Sequence, residues 1–154
     1  MSPARAKVSV KTRIANESGK KSNLVLRTVV YARSGAAGQS NSSATLDPGE
    51  SVEVNQEIAV DKPALWTPDS PNLYRAVTRV IEDAKAVDEV STPFGIRSIE
   101  WSAERGFLLN GKPVKMTGGC VHHDNGPLGA AAFDRAEERR VQILKQSGFN
   151  AVRA

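Results

Sequence analysis

The chain has 154 residues, of which 40% are hydrophobic and 25% charged, and its formal net charge is +4. These values are ordinary for a soluble globular protein, and no apolar run approaches the ~18 residues that a transmembrane helix requires, so we expect no membrane partner. Basic residues alternate with apolar ones or lie beside acids, as in 137–140, which predicts a solvated surface and no nucleic-acid partner. The single cysteine, Cys120, excludes an intrachain disulfide.

The first two thirds of the sequence predict β-strands. Apolar and polar residues alternate from Ala6 to Ile14, as in a strand with one buried face, whereas Leu24 to Ala32 is apolar on both faces and predicts a central strand. Residues 34–43 are rich in Gly, Ala and Ser and predict a loop or a weak edge strand. The turn sequence 47–50 precedes an alternating strand over 52–60. Further strands are predicted at Leu73 to Ile81, Ala86 to Val90 and Phe94 to Ile99.

Short strands at this spacing, without a helix signal before residue 130, are typical of an antiparallel sandwich of immunoglobulin type. The pattern changes after Trp101. Asn110-Gly111 predicts a hairpin turn between Leu108-Leu109 and Val114 to Met116, because both turn residues tolerate positive φ.

A second pattern follows, with a strand predicted at Lys115 to Thr117 and a polar loop after it. Asp134 and Glu137 predict a helix start of the capping-box type, and Gly148 predicts the end of that helix. Phe149 to Val152 predicts a buried strand. Strand, helix and parallel strand form the repeat of an α/β barrel. The predicted fold class is therefore mainly β: an immunoglobulin-like antiparallel β-sandwich followed by a truncated first βαβ segment of an α/β (TIM) barrel.

Three motifs in this sequence resemble those of glycoside hydrolase family 2, which includes β-galactosidases, β-glucuronidases and β-mannosidases. Residues 66–74 (WTPDSPNLY) are similar to the family's Leu-Trp-x-Pro-x-x-Pro-x-Leu-Tyr segment. Residues 94–97 (FGIR), followed by 109–114 (LNGKPV), resemble its junction between the middle domain and the catalytic barrel. Residues 148–153 (GFNAVR) resemble its Gly-Phe-Asn-Ala-x-Arg signature. The resemblance implies an immunoglobulin-like domain over 1–97 and the N-terminal fragment of the TIM-barrel catalytic domain over 98–154.

The resemblance also implies an activity for a longer parent protein. That parent would be a retaining exo-glycosidase of β-galactosidase type that hydrolyses terminal β-linked sugars in carbohydrate catabolism. Its expected partners are a terminal β-galactoside or related glycoside and the remaining domains of the same chain. In this family both catalytic carboxylates lie on later barrel strands, so we expect no catalytic residue in these 154 residues and an inactive fragment.

Two substrate-binding residues follow from the resemblance. His122 occupies the histidine position of the family's Gly-x-x-x-His loop, which lies against the sugar in the glycone subsite. Arg153 occupies the arginine of the signature, beside the nucleophilic carboxylate, where a cation lowers the pKa of that carboxyl. The alternative is that His122 lies in an ordinary solvated loop and that Arg153 faces solvent.

Residues 120–124 and Trp66 also permit interpretations that do not depend on the resemblance. Cys120, His122, His123 and Asp124 are all possible metal ligands, but adjacent histidines seldom face one ion, so we expect no metal site. Cys120 is interpreted as a small buried residue. No cofactor is predicted, and a requirement of the parent for Mg or Na is not readable here. Trp66 either packs over the sandwich edge or, if exposed, stacks on sugar.

The competing function is a freestanding β-sandwich carbohydrate-binding or adhesion module, with residues 98–154 packed on the sandwich. The first residues, 1–7, have no apolar segment after their basic start, so no signal peptide is expected. The compartment stays unknown, cytoplasmic or periplasmic.

Overall fold

The computed structural model describes residues 4–122 and 125–154. The chain divides into two compact units, one that ends at Arg97 and one that begins at Ser98. No helix in the described residues is long and apolar enough to span a bilayer.

The first unit is a β-sandwich. Its described residues form six strands, which are β1 (Arg5–Ala15), β2 (Ser22–Ala32), β3 (Gly35–Leu46), β4 (Ser51–Asp61), β5 (Tyr74–Glu82) and β6 (Lys85–Phe94). One sheet contains β1 and β4, and the other has the order β3-β2-β5-β6. All of these pairings are antiparallel. The predicted sandwich and the central position of β2 are confirmed, and the stretch predicted as a loop or weak edge is the edge strand β3.

In β1, β4 and the first half of β2, every second side chain is buried or half-buried, as the period of two requires. The buried apolar residues form two clusters that draw on both sheets. The first contains Ile14, Leu24, Leu26 and Leu46. The second contains Val30, Ile58, Val60 and Tyr74.

The outer face of the β1–β4 sheet carries paired charges. Lys7 Nζ lies 2.7 Å from Glu57 Oε1, and the two residues are diagonal neighbours, since Lys7 is opposite Ala59 and Glu57 is opposite Ser9. Lys11 Nζ lies 3.0 Å from Glu53 Oε1 across the same ladder. These pairs are exposed, so each contributes little to stability, but opposite charges across two strands favour their antiparallel pairing.

The predicted strand at Phe94 to Ile99 is wrong, because β6 ends at Phe94 and residues 95–98 form no ladder. The backbone there pairs with the Trp66 loop instead. The Trp66 N–H donates to the Ile96 carbonyl at 2.8 Å. A Cβ added at Gly95 would lie 2.9 Å from the Trp66 Cβ, so glycine permits this close approach.

The second unit begins with a three-stranded antiparallel sheet of β7 (Ile99–Ser102), β8 (Gly106–Leu109) and β9 (Lys112–Pro113). Asn110 and Gly111 have φ values of 54° and 75°, and they connect β8 to β9. The predicted hairpin turn is therefore confirmed. The strand after the turn was predicted at Val114 to Met116, but β9 has only two residues and ends at Pro113.

The rest of the second unit is a strand, a helix and a parallel strand. These are β10 (Gly118–Cys120), α1 (Asp134–Gln146) and β11 (Ala151–Arg153). The pair β10–β11 is parallel, as predicted. The strand was predicted at Lys115 to Thr117, but β10 begins three residues after Lys115. The reason is that the backbone of Lys115 and Thr117 bonds to the side chain of Asn150 and not to a ladder partner.

The two ends of α1 differ in how well the sequence predicted them. The N-cap is Phe133 and makes no side-chain hydrogen bond, so the capping-box prediction is wrong and Asp134 is the first helical residue. Its carboxylate still lies at the positive end of the helix dipole. The end of the helix is confirmed: Gly148 has a φ of 86°, and its N–H donates to the Lys145 carbonyl while that of Phe149 donates to Leu144, both at 3.0 Å.

Candidate active-site edge

The parallel pair β10–β11 brings the two predicted substrate-binding positions to one edge of the second unit. Cys120 is the ladder partner of Arg153, and the N–H of Val121 donates to the Arg153 carbonyl at 2.8 Å. His122 is the next residue along the chain. Because parallel strands end at the same edge, Arg153, the last residue of β11, and His122, two residues after β10, lie at the carboxyl ends of neighbouring strands, where α/β barrels build their sites. Both residues are exposed.

A close approach between the two backbones makes this pairing possible. A Cβ added at Gly118 would lie 2.0 Å from the Ala151 carbonyl oxygen, whereas one added at Gly119 would have nothing within 4 Å. The close approach of β11 thus requires glycine at position 118, whereas position 119 has room for a side chain. The sequence did not distinguish these two glycines.

The Arg153 guanidinium lies against Cys120. Its Nη1 is 3.8 Å from Cys120 Sγ, across the parallel pair. Cys120 is exposed, so its interpretation as a small buried residue is wrong. The physical reason is that all three residues of β10 are exposed, since a pair of three-residue strands buries little surface.

The four possible metal ligands named from the sequence, for which we expect no metal site, are only partly described. His123 and Asp124 lie outside the described residues. Within 4–122 and 125–154, no three His, Cys, Asp or Glu side chains are grouped so that they could hold an ion.

Trp66 in the first unit is half-buried, and its side chain already contacts Arg97 and Gly95 of the same unit. The Arg97 guanidinium carbon lies 4.8 Å from the ring centroid, in cation–π geometry. Gly95 packs against the same side chain. Nearby, the Tyr74 hydroxyl accepts a 2.8 Å hydrogen bond from the Ala64 N–H. These contacts favour the structural role of Trp66 over stacking on a sugar.

A cleft of about 460 Å³ in the first unit lies between β1 and the strands β5 and β6. Its lining is mainly apolar and hydroxyl-bearing, and the charged residues in it are Lys11 and Arg13. A retaining glycosidase needs two carboxyl groups about 5 Å apart, and this lining contains no carboxyl group. The cleft therefore offers no acid–nucleophile pair.

Comparison with known proteins defines the class. The model of the glycosyl hydrolases family 2 matches residues 1–97, and the chain therefore belongs to this family. The β-galactosidase BoGH2A of Bacteroides ovatus is 39% identical to it over 97% of the chain. A glycosyl hydrolase family 2 member from Bacteroides cellulosilyticus is 44% identical over 96% of the chain, with a TM-score of 0.89. The β-glucuronidase of Bacteroides uniformis is 30% identical over 99% of the chain, with a TM-score of 0.91.

The similarity extends over nearly all of this chain but over a small part of each relative. The chain spans 18% of the length of the Bacteroides ovatus β-galactosidase. It spans 19% of each of the two solved structures. The relatives thus contain several times more chain than these 154 residues.

Proposed function

We propose that this chain is part of a retaining exo-glycosidase of β-galactosidase type, in which residues 98–154 form the start of a TIM-barrel catalytic domain. The observation that carries the proposal is the placement of His122 and Arg153 at one edge of a parallel βαβ unit. The names of the relatives point to the same class of reaction, the hydrolysis of β-linked sugars.

The proposed roles of the two residues differ. His122 donates a hydrogen bond to sugar hydroxyls in the glycone subsite, and that bond strengthens as charge develops in the transition state. Arg153 lies beside the nucleophilic carboxylate and keeps it ionised by charge proximity. The acid/base and nucleophilic carboxyl groups come from other parts of the longer chain. The proposed partners are therefore a terminal β-linked sugar and the remaining domains of that chain.

A second substrate is favoured by a specific similarity. Because the Bacteroides uniformis relative is a β-glucuronidase, a terminal β-glucuronide is the alternative to a β-galactoside. The two sugars differ in charge, since a glucuronide carries a carboxylate that requires a cationic partner in the site. Relative rates on the two chromogenic glycosides therefore separate the candidates.

The test compares the 154-residue chain with the longer coding sequence that contains it. On chromogenic β-galactoside, β-glucuronide and β-mannoside, we expect hydrolysis by the longer chain and none by the 154 residues, because in this proposal both carboxyl groups that the cleavage needs lie in other parts of the longer chain. Turnover by the short chain that persists through repurification and disappears in His122→Ala would contradict the proposal. If the coding sequence stops at Ala154 and its protein product binds sugar, the freestanding binding module is favoured.

A further inference from the structure

The side-chain amide of Asn150 joins the two strands of the candidate active-site edge just before they begin to pair. Its Oδ1 accepts a hydrogen bond of 2.9 Å from the Thr117 N–H. Its Nδ2 donates a hydrogen bond of 3.0 Å to the Lys115 carbonyl. One amide group thus binds a donor and an acceptor two residues apart on the opposite segment, as a backbone peptide group does in a ladder.

The backbone around Asn150 completes the connection. The Asn150 N–H donates to the Thr117 carbonyl at 2.9 Å, and the Ala151 N–H donates to the same oxygen at 3.3 Å. An amide on a short stem is suited to this position, because it carries both a donor and an acceptor. An aspartate would lose the donor when ionised, and an alanine would lose both.

These bonds set the register of the parallel pair. The ladder that follows pairs Gly118 with Ala151 and Cys120 with Arg153. A shift of one residue would move Arg153 by about 3.3 Å along the strand and turn its side chain to the other face of the sheet. The pair has only three rungs, so its own ladder provides little resistance to such a shift.

We propose that Asn150 is a positioning residue of the glycosidase site: its amide holds β11 in register with β10, so that Arg153 lies at the edge that leads into His122. This inference rests on the proposed function, because it assigns the register a role in binding sugar. Its side-chain amide is already bonded to Thr117 and Lys115, so Asn150 acts through Arg153 and not on the sugar.

The first test uses the 154-residue chain, with Asn150→Asp and Asn150→Ala. Asn41→Asp on the exposed face of β3 is the matched control, because it adds the same charge far along the sequence. The readout is hydrogen exchange of the Ala151 and Val121 amides, expressed relative to intrinsic rates. At pH 7 we expect both variants at position 150 to lose protection by about tenfold, the size expected for one hydrogen bond, and the control to lose none.

The pH dependence separates a specific bond from a general loosening. Below the ordinary aspartate pKa of about 3.9, a protonated aspartate again offers a donor to the Lys115 carbonyl, so Asn150→Asp should regain protection while Asn150→Ala should not. Amides of β2 and β5 serve as the internal reference for global unfolding. Unchanged protection in both variants, or exchange of Ala151 and Val121 at intrinsic rates in the unmodified chain, would overturn the inference.

The second test uses the longer enzyme, with kcat/KM measured on the glycoside it hydrolyses. We expect a loss of at least about tenfold in Asn150→Asp at neutral pH, with partial recovery toward acid pH that Asn150→Ala does not show. A register change without any loss of kcat/KM would refute the positioning role. An unmodified longer chain without glycosidase activity would instead contradict the proposed function, while the exchange results would still decide whether Asn150 sets the register.

Discussion

The hydroxyl of Thr28 on β2 donates a hydrogen bond of 2.5 Å to the side-chain oxygen of Gln56 on β4, and both residues are buried. Because β2 and β4 belong to different sheets, this bond crosses the interior of the sandwich. The Gln56 amide nitrogen donates to the Leu26 carbonyl at 3.1 Å. Thr28 has a single hydroxyl proton, so its 3.0 Å contact with Thr78 uses the proton of Thr78. A polar layer therefore separates the two apolar clusters.

Gln56→Leu should lower the free energy of unfolding by about 2 kcal/mol, because it leaves the buried Thr28 hydroxyl without its acceptor. Urea denaturation followed by circular dichroism measures the change. Gln39→Leu, at an exposed position of the edge strand β3, is the control and should change the free energy by less than about 0.5 kcal/mol. Equal effects of the two substitutions would show that the inter-sheet bond is not stabilising.

Lys11 lowers the pKa of Glu53, chiefly through the hydrogen bond between the two side chains and then through its charge. Because the folded pKa is depressed, the stabilisation is present above the unfolded glutamate pKa of about 4.3 and is lost as the pH falls through the folded value. Lys11→Met should therefore raise the pKa of Glu53, as measured by a carboxyl-carbon NMR titration. Glu104, whose pKa is lowered first by the Ser102 hydroxyl, is the control that should not respond.

Gly118→Ala should disrupt the parallel pair, because the new methyl group would overlap the Ala151 carbonyl oxygen. Gly119→Ala is a matched control one residue away, since a Cβ there meets nothing within 4 Å. Cross-strand nuclear Overhauser effects between β10 and β11 report the difference. The prediction fails if the two variants retain these effects equally.

In the longer enzyme, His122→Ala should reduce kcat/KM by about 2 to 4 kcal/mol of transition-state stabilisation, the scale for a donor that strengthens its bond in the transition state. Folding should be nearly unchanged, because His122 is exposed on a loop. Kinetics and melting temperature of the variant check both statements.

His123→Ala is the control for His122→Ala, because it removes the same chemical group one residue further along the chain. It should reduce kcat/KM much less. Equal losses in the two variants, or losses explained by unfolding, would remove His122 from the proposed site.

Local chemistry with a strong conformational requirement was predictable from the sequence. Asn110-Gly111 forms the expected turn, and Gly148 forms the expected helix end, since each depends on a positive φ that few residues accept. The alternation in β1 and β4 likewise located these strands, because a half-buried strand imposes a period of two, and β2 was located by apolar residues on both of its faces.

Features that depend on tertiary contacts were not predictable in the same way. The apolar residues of the segment Phe94 to Ile99 predict a strand, yet the Ile96 carbonyl accepts a hydrogen bond from the N–H of Trp66, which is 30 positions earlier in the chain. Asp134 has a suitable spacing to Glu137, but the backbone of Phe133 takes the cap position. Asn150 is marked in the sequence only as part of the motif at 148–153, because no periodic pattern identifies a side chain that binds the backbone of another segment.

The pairing of β1 with β4 has a consequence during synthesis. Residue 15 pairs with Ser51, and Arg5 pairs with Asp61, so β2 and β3 lie between the two strands in the chain. Residues of β1 must therefore remain without their β4 partners until between 36 (Ala15 to Ser51) and 56 (Arg5 to Asp61) more residues have been added. Lys7, Lys11 and Arg13 occupy alternate exposed positions of β1 and act as gatekeepers, because charges at such positions oppose association between nascent chains.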